Sequence, residues 1–332
     1  MKIPRTSRRR SFRKPSPKRA AQFAAVVLLW VLWSLFSPDF DGGQPADQPA
    51  PIPPSEVPVR TSSVAEGRVR VCTWNVRNYS VAGRKIGGKY VQSPKPEAEK
   101  TALRKSLAAI NADVLLIDEM GDAAFLRELR DDLAKFEGLV YEYTATTRYD
   151  SPSRVAIMSR IKPEKFVDCC DIKFEFKGDN RFSPRGTLGA CFDVRGVKWY
   201  AFAVHLKSPI GARKSDEKFT PFRFAELRAI SARIKSETGG CKNVIVAGDF
   251  NQEPSDALLR NIRGMVLVPQ SDEDGREYTY FWSKKNIFYR YDFFLFSKPM
   301  LPFLSGAAAV WKRGGDASDH RPVYVDLDFS KN

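Results

Sequence analysis

From Arg68 onward, apolar residues recur with a period of two, then of three to four, then of two again. In RVRVCTWNV, Val69, Val71 and Thr73 alternate with Arg70, Cys72 and Trp74, which predicts a strand ending at Asn75, followed by a Pro- and Gly-rich loop. In EAEKTALRKSLAAIN, Leu103, Leu107 and Ile110 fall on one face of a helix. The next run, DVLLIDE, reads as a buried strand. A second helix in DAAFLRELRDDLAKF aligns Phe125, Leu126, Leu129 and Leu133. A strand in SRVAIMSR follows, then a strand pair in LGACFDVRGVKWYAFAVHLK turning at Arg195-Gly196. A helix from about Phe219 to Ser236, the strand NVIVAGD and the last strands YRYDFFLFS and PVYVDLDF complete the pattern. Strands and helices mix without strict alternation, so the predicted fold is α/β, a two-layer β-sandwich of mixed sheets flanked by helices.

Ahead of this domain the pattern changes. Residues 1–19 are densely basic, and Ala20 to Phe36 is uncharged and largely apolar, the layout of a signal peptide or signal anchor. As a helix this run spans about 25 Å at ~1.5 Å per residue, the short end for a bilayer core of roughly 30 Å. No A-x-A cleavage pattern follows, and Trp30 and Trp33 stand where an interfacial belt would, so an uncleaved anchor is favoured over a cleaved signal. Arg9-Arg10-Ser11-Phe12-Arg13-Lys14 resembles a twin-arginine export motif; plain positive charge holding the N-terminus in the cytoplasm is the simpler reading. Either way the rest of the chain is placed outside the cytoplasm, periplasmic or extracellular. The chain thus divides into a basic leader plus hydrophobic signal anchor (1–37), a Pro-rich linker (38–66) and a folded domain (67–332).

Charge changes this picture little. The net charge is +15, but nine basic residues and no acid precede Ser37, so the remainder carries +6. A mild surplus suits a polyanionic substrate and is also common on proteins that bind none. The five cysteines form no CxxC pair and no His stands at zinc-finger spacing, which argues against a structural zinc site. Cys72 and Cys191 read as core residues, and a disulfide from Cys169 or Cys170 to Cys191 or Cys241 stays open for an exported domain.

The informative residues are polar ones at the ends of apolar strands, where a desolvated carboxylate or amide is costly unless something binds it. Asn75 ends CTWN, Glu119 ends LLIDE, His205 ends FAVH, and Asp249 and Asn251 follow VIVAG. Asp292 sits inside YRYDFFLF, and Asp319-His320 opens the last strand. The chain has two histidines, and both belong to this set.

In order and spacing the elements WN, DE, HLKS, GDFN, YD and SDH resemble the endonuclease/exonuclease/phosphatase superfamily, of which deoxyribonuclease I, exonuclease III, inositol polyphosphate 5-phosphatases and neutral sphingomyelinases are members. The resemblance runs from about Arg68 to Phe329 and implies a deoxyribonuclease I-like fold and an Mg²⁺-dependent phosphodiester hydrolase, with Mn²⁺ as a substitute. It implies that Glu119, Asn75 and Asp319 hold the metal, and that Asp249 orients or deprotonates water. Asn251 would then donate to the phosphoryl group, and His320, paired with Asp292, and His205 would contact the phosphate. Asp118 departs from the pattern, where many members have Gln. Arg77 and Lys207 are expected to contact substrate, with Arg84, Lys85, Lys89, Arg213 and Lys214 nearby and Tyr79, Tyr90, Phe182 and Trp282 available to stack on bases. Nucleic acid is therefore the expected substrate, a membrane the expected anchor, and no protein partner is evident. A lipid or inositol-phosphate phosphoesterase is the alternative, weakened because no exposed apolar hairpin is legible. A non-catalytic binding module would be expected to lose part of the Glu, Asp and His set.

Overall fold

The computed structural model of the protein describes residues 64–148, 151, 153–209, 220–312 and 315–330. The leader, the apolar run, nearly all of the linker, and Arg213 and Lys214 lie outside the described residues. Among the described residues no helix is long and apolar enough to cross a membrane.

The first strand, β1 (Arg68–Tyr79), continues past Asn75. Arg77 and Asn78 take φ of 50° and 51°, and the register against the neighbouring strand shifts between Asn75 and Tyr79. Such a bulge bends the chain and re-aims its side chains. The predicted loop beyond it is instead a hairpin of β2 (Ala82–Ile86) and β3 (Lys89–Ser93), turning at Gly87-Gly88 with φ of 56° and 81°. Both of its faces are largely exposed, so it carries no period-two apolar signal.

Helix α1 (Glu97–Ile110) stops where Asn111 turns left-handed and donates its N–H to the Leu107 carbonyl. After β4 (Val114–Met120), α2 (Ala123–Glu137) is capped by the Asp122 carboxylate, which accepts from the N–H groups of Ala124 and Phe125. Then come β5 (Tyr143–Thr146), β6 (Arg154–Ser159) and β7 (Lys165–Cys169). An unpredicted hairpin of β8 (Lys173–Phe176) and β9 (Asp179–Phe182) leads into β10 (Thr187–Val194) and β11 (Val197–His205). These last two turn at Arg195-Gly196, both with positive φ, the geometry that matches strand twist in a two-residue turn. The chain goes on through α3 (Thr220–Glu237), β12 (Val244–Asp249), the short α4 (Asp256–Leu259), β13 (Met265–Leu267) and β14 (Gln270–Ser271). It ends with β15 (Tyr280–Trp282), β16 (Ile287–Tyr289), β17 (Asp292–Ser297), β18 (Ala308–Val310) and β19 (Val323–Asp328).

Two mixed sheets result, ordered β14-β18-β19-β1-β4-β6-β5 and β13-β17-β12-β11-β10-β7. One core lies between them: Val69, Val71 and Leu116 of the first sheet meet Leu188, Trp199 and Phe294 of the second. On the outer face of the first sheet, Cys72 and Trp74 pack on Leu103 and Leu107 of α1 and Leu129 and Leu133 of α2. On the outer face of the second, Phe202 and Phe293 pack with Leu227 and Ile230 of α3. Both halves of the β1 alternation are thus buried, one against the opposing sheet and one against helices. The architecture is a β-sandwich of mixed sheets flanked by helices. All five cysteines are free, with Cys72, Cys169 and Cys191 buried, so no disulfide forms.

The topology decides where chemistry collects. β1 runs parallel to β4, and β11 runs parallel to β12, with Asn75 opposite Asp118 and His205 opposite Asp249. β17 runs antiparallel to β12 and places Asp292 opposite Asp249. Polar residues ending four apolar strands are thereby delivered to one edge of the sandwich.

Candidate active site

At that edge the arrangement centres on one atom, Oδ2 of Asp249. The side-chain amides of Asn75 and Asn251 each donate to it at 3.0 Å. The Nε2 atoms of His205 and His320 stand 3.5 and 3.8 Å away. The other oxygen, Oδ1, accepts the Asn251 N–H at 2.7 Å, and the Asp249 N–H donates to Asp118 at 2.8 Å. Asp249, Asp292 and His205 are essentially without solvent exposure, and His320 keeps only 6%.

Two asparagines hold the carboxylates of this cluster. Asn251 spends both amide hydrogens, one on Asp249 and one on the Leu206 carbonyl at 3.1 Å, which fixes the carboxylate. Asn75 turns its amide nitrogen, not its oxygen, toward Glu119 at 3.3 Å while its oxygen accepts the Arg77 N–H. Here it bridges two carboxylates as a donor.

The histidines are held in opposite charge states. Burial alone would strip the proton from His320, but the carboxylates of Asp292 and Asp249, with an Nδ1 contact to Asp292 at 2.8 Å, override it and raise its pKa to about 10. Thr279 donates to the same Asp292 oxygen at 2.7 Å, and Trp74 donates to the His320 carbonyl at 2.9 Å. His205 is pushed well below the usual imidazole value by burial first and then by Arg185 and His320, so it is neutral. Burial raises Asp249 to about 7, against the pull of His320 and with the push of Asp292. Burial and the Asp249 charge also hold Asp118 well above the carboxylate range.

These shifts predict a pH dependence of stability in EDTA. A group whose pKa is higher in the folded than in the unfolded chain stabilises below its unfolded value and loses that contribution as pH rises through the folded one. For His320 the window runs from about 6.5 to about 10. Melting temperature in EDTA should fall by several degrees between pH 7 and pH 9, and His320→Gln should flatten that fall in a thermal melt series.

The metal question turns on Glu119. Its φ of 59° lifts the half-exposed carboxylate off the end of β4, and among the described residues its oxygens accept from Asn75 and from the Asn78 N–H at 2.9 Å. A half-exposed hard oxygen donor with unused lone pairs fits Mg²⁺, which asks for few protein ligands. Asp249, Asp292 and His320 also lie with ligand atoms within 4.8 Å of one another. That group fits an ion less well, because His320 is protonated and already paired through Nδ1. Asp319 is half-exposed beside Arg77, 3.8 Å from its Nε. Lys207 is half-buried, its N–H bound to Glu226 at 2.9 Å and its ammonium to the Ser208 carbonyl.

Some site residues carry no signal in the sequence. The half-buried Tyr280 ring lies 4.6 Å from that of His320, and burial together with the charges of Asp319 and Asp249 raises its hydroxyl to about 12. It sits in an aromatic run whose pattern does not separate it from core residues. Glu226, buried on α3, accepts from Ser183 at 2.7 Å and from the Lys207 N–H, tying the end of β9 to the segment after His205. Conversely Tyr79, expected to stack on bases, is wholly buried and donates to Glu128 at 3.2 Å.

Gly248 shows how closely the strands must approach. Its φ is 145°, and a Cβ there would meet the Val204 carbonyl oxygen at 1.9 Å. Gly248→Ala should cost about 3 kcal/mol in a denaturant titration and displace Asp249 from His205.

Comparison with solved structures agrees with this architecture. Beta toxin from Staphylococcus aureus superposes with a TM-score of 0.58 at 15% identity, covering 77% of this chain and 99% of that one. A humanized D. rerio TDP2 gives 0.53 at 21% identity, covering 79% and 99%. The 3′-5′ exonuclease NExo from Neisseria meningitidis gives 0.53 at 18% identity, covering 78% and 100%. At these identities the likeness establishes the fold. A sequence comparison with curated proteins gives no match. The family model described as "Endonuclease/Exonuclease/phosphatase family" matches residues 72–320, a span that holds every residue placed at the site above. The chain belongs to the endonuclease/exonuclease/phosphatase family, whose members hydrolyse phosphate esters.

Proposed function

We propose that the protein is an Mg²⁺-dependent phosphodiester hydrolase acting on nucleic acid. The observation that carries this reading is the convergence of a carboxylate near neutral pKa, an imidazolium and a neutral imidazole on one atom, beside a separate half-exposed carboxylate. Mg²⁺ bound at Glu119, with Asp319 near, would neutralise phosphoryl oxygens as a Lewis acid. Asp249 orients a water and takes its proton as the new oxygen–phosphorus bond forms and the bond to the leaving oxygen breaks, that oxygen taking a proton from solvent. Its pKa of about 7 suits a base working near neutrality. The Nε2–H groups of His320 and His205 face the charge that develops on the phosphoryl oxygens. Asn75, Asn251 and Asp118 hold Asp249 in place, and Arg77 at the rim meets the incoming phosphate.

Two likenesses favour these finer choices. NExo from Neisseria is a 3′-5′ exonuclease, and a beta toxin mutant from Staphylococcus aureus, at 16% identity and a TM-score of 0.56, carries bound magnesium ions. The location is part of the proposal too. The basic leader and apolar run of residues 1–37 are assigned as an anchor holding the catalytic domain outside the cytoplasm.

Glu119→Gln should raise the Mg²⁺ concentration for half-maximal hydrolysis at least tenfold, in a titration on bis(p-nitrophenyl) phosphate. An unchanged Mg²⁺ requirement would move the metal away from Glu119.

A further inference from the structure

The large apolar side chains left in solvent are not scattered. Among the described residues they are Ile86, Tyr90 and Val91 on the β2–β3 hairpin, Phe182 on β8–β9, and Ile287 and Phe288 on β15–β16. Val81 stands at the foot of the first hairpin, and only Phe136 and Val140 lie elsewhere. Tyr90 is 78% exposed. Apolar groups gathered on three projecting ribbons mark an interaction surface, and they correct the expectation that no exposed apolar hairpin exists.

Each ribbon is also basic. Lys85 and Lys89 flank the first turn with no acid in the hairpin, and Lys284 and Lys285 form the turn of the third, again with no acid. The second carries Lys173, Lys177 and Arg181 against Glu175 and Asp179, of which Asp179 pairs with Arg181 at 2.6 Å.

The first and third are tied directly to the site, and the second through one buried side chain. At the first, Arg84 donates to the Asn78 carbonyl at 2.6 Å, and the Asn78 N–H binds Glu119. The second ends at Ser183, which reaches the segment after His205 through Glu226. The third begins at Tyr280, against His320.

We propose that these hairpins form a three-sided grip for single-stranded nucleic acid, with bases stacking on Tyr90, Phe182 and Phe288 and phosphates paired with the flanking lysines. The proposal rests on the phosphodiesterase reading and specifies its substrate. Alternation of aromatic faces and cations is the chemistry that holds unpaired bases and their backbone. Exposed rings can stack only on bases that are unpaired, which favours a single strand over a duplex.

The test uses the full chain in EDTA, so that binding is read without cleavage. Anisotropy of a labelled single-stranded oligonucleotide should show affinity at least tenfold tighter than for its duplex. The Tyr90→Ser, Phe182→Ser, Phe288→Ser triple variant should weaken single-strand binding at least tenfold at an unchanged melting temperature. Changing Lys85, Lys89, Lys284 and Lys285 to Gln should lower the slope of log affinity against log salt by about 3. Equal affinity for strand and duplex, or single-strand binding untouched by the triple substitution, would overturn the proposal. So would a triple variant that loses binding to phosphatidylcholine–phosphatidylserine vesicles while keeping the oligonucleotide, since the ribbons would then face lipid. Binding as expected from a wild-type chain that fails to hydrolyse bis(p-nitrophenyl) phosphate in Mg²⁺ would support the grip and overturn the hydrolase reading.

Discussion

His320→Ala is expected to lower phosphodiester hydrolysis by about three to four orders of magnitude, read as kcat on bis(p-nitrophenyl) phosphate. The side chain supplies a cation buried beside Asp249 and Asp292, and its Nε2–H would face the growing phosphoryl charge. Removing it also leaves Asp292 and Asp249 without their partner. A broken buried pair costs about 3–5 kcal/mol, so the variant should melt lower while remaining folded, its loss of turnover far exceeding any loss of folded protein. Near wild-type turnover would remove His320 from the mechanism.

Asp249→Asn should be nearly as severe for activity, about a thousandfold, and opposite for stability. The carboxylate is buried against Asp292 and above Asp118, and its pKa of about 7 means that the folded protein disfavours its charge. An isosteric amide keeps an oxygen acceptor for Asn75 or the Asn251 N–H and discards the charge. At pH 8 the variant should melt no lower than the wild type. A variant that is both inactive and several degrees less stable would show that Asp249 acts mainly as a structural acceptor. The contrast between these two variants separates chemistry from scaffolding within one cluster.

Much of this site was legible because its residues break the rule of their surroundings. His205, Asp249 and Asp292 sit in or at the end of strands made almost wholly of apolar residues, and a polar group there is conspicuous in a single sequence. The parallel pairing of β11 with β12 then brings them into register. The large strands and helices were legible for a related reason: each buries at least one continuous face, so periodicity reports it. The three hairpins were not, because β2, β3 and β9 bury almost nothing and their residue pattern answers to solvent. Tyr280 was hidden by the opposite problem, an aromatic among aromatics. The roles of Asn75 and Asn251 depend on which end of an amide faces a carboxylate, and residue identity cannot supply that. Tyr79 was misread because the bulge at Arg77 and Asn78 turns it inward, and nothing in WNVRNY announces a bulge.

The most direct test is hydrolysis of a single-stranded oligonucleotide and of bis(p-nitrophenyl) phosphate by the full chain in Mg²⁺ and in EDTA, with His320→Ala as the parallel control. The account predicts cleavage of both by the wild type in Mg²⁺, none in EDTA and almost none by the variant. Cleavage that persists in EDTA, or that the His320 variant retains, would contradict it.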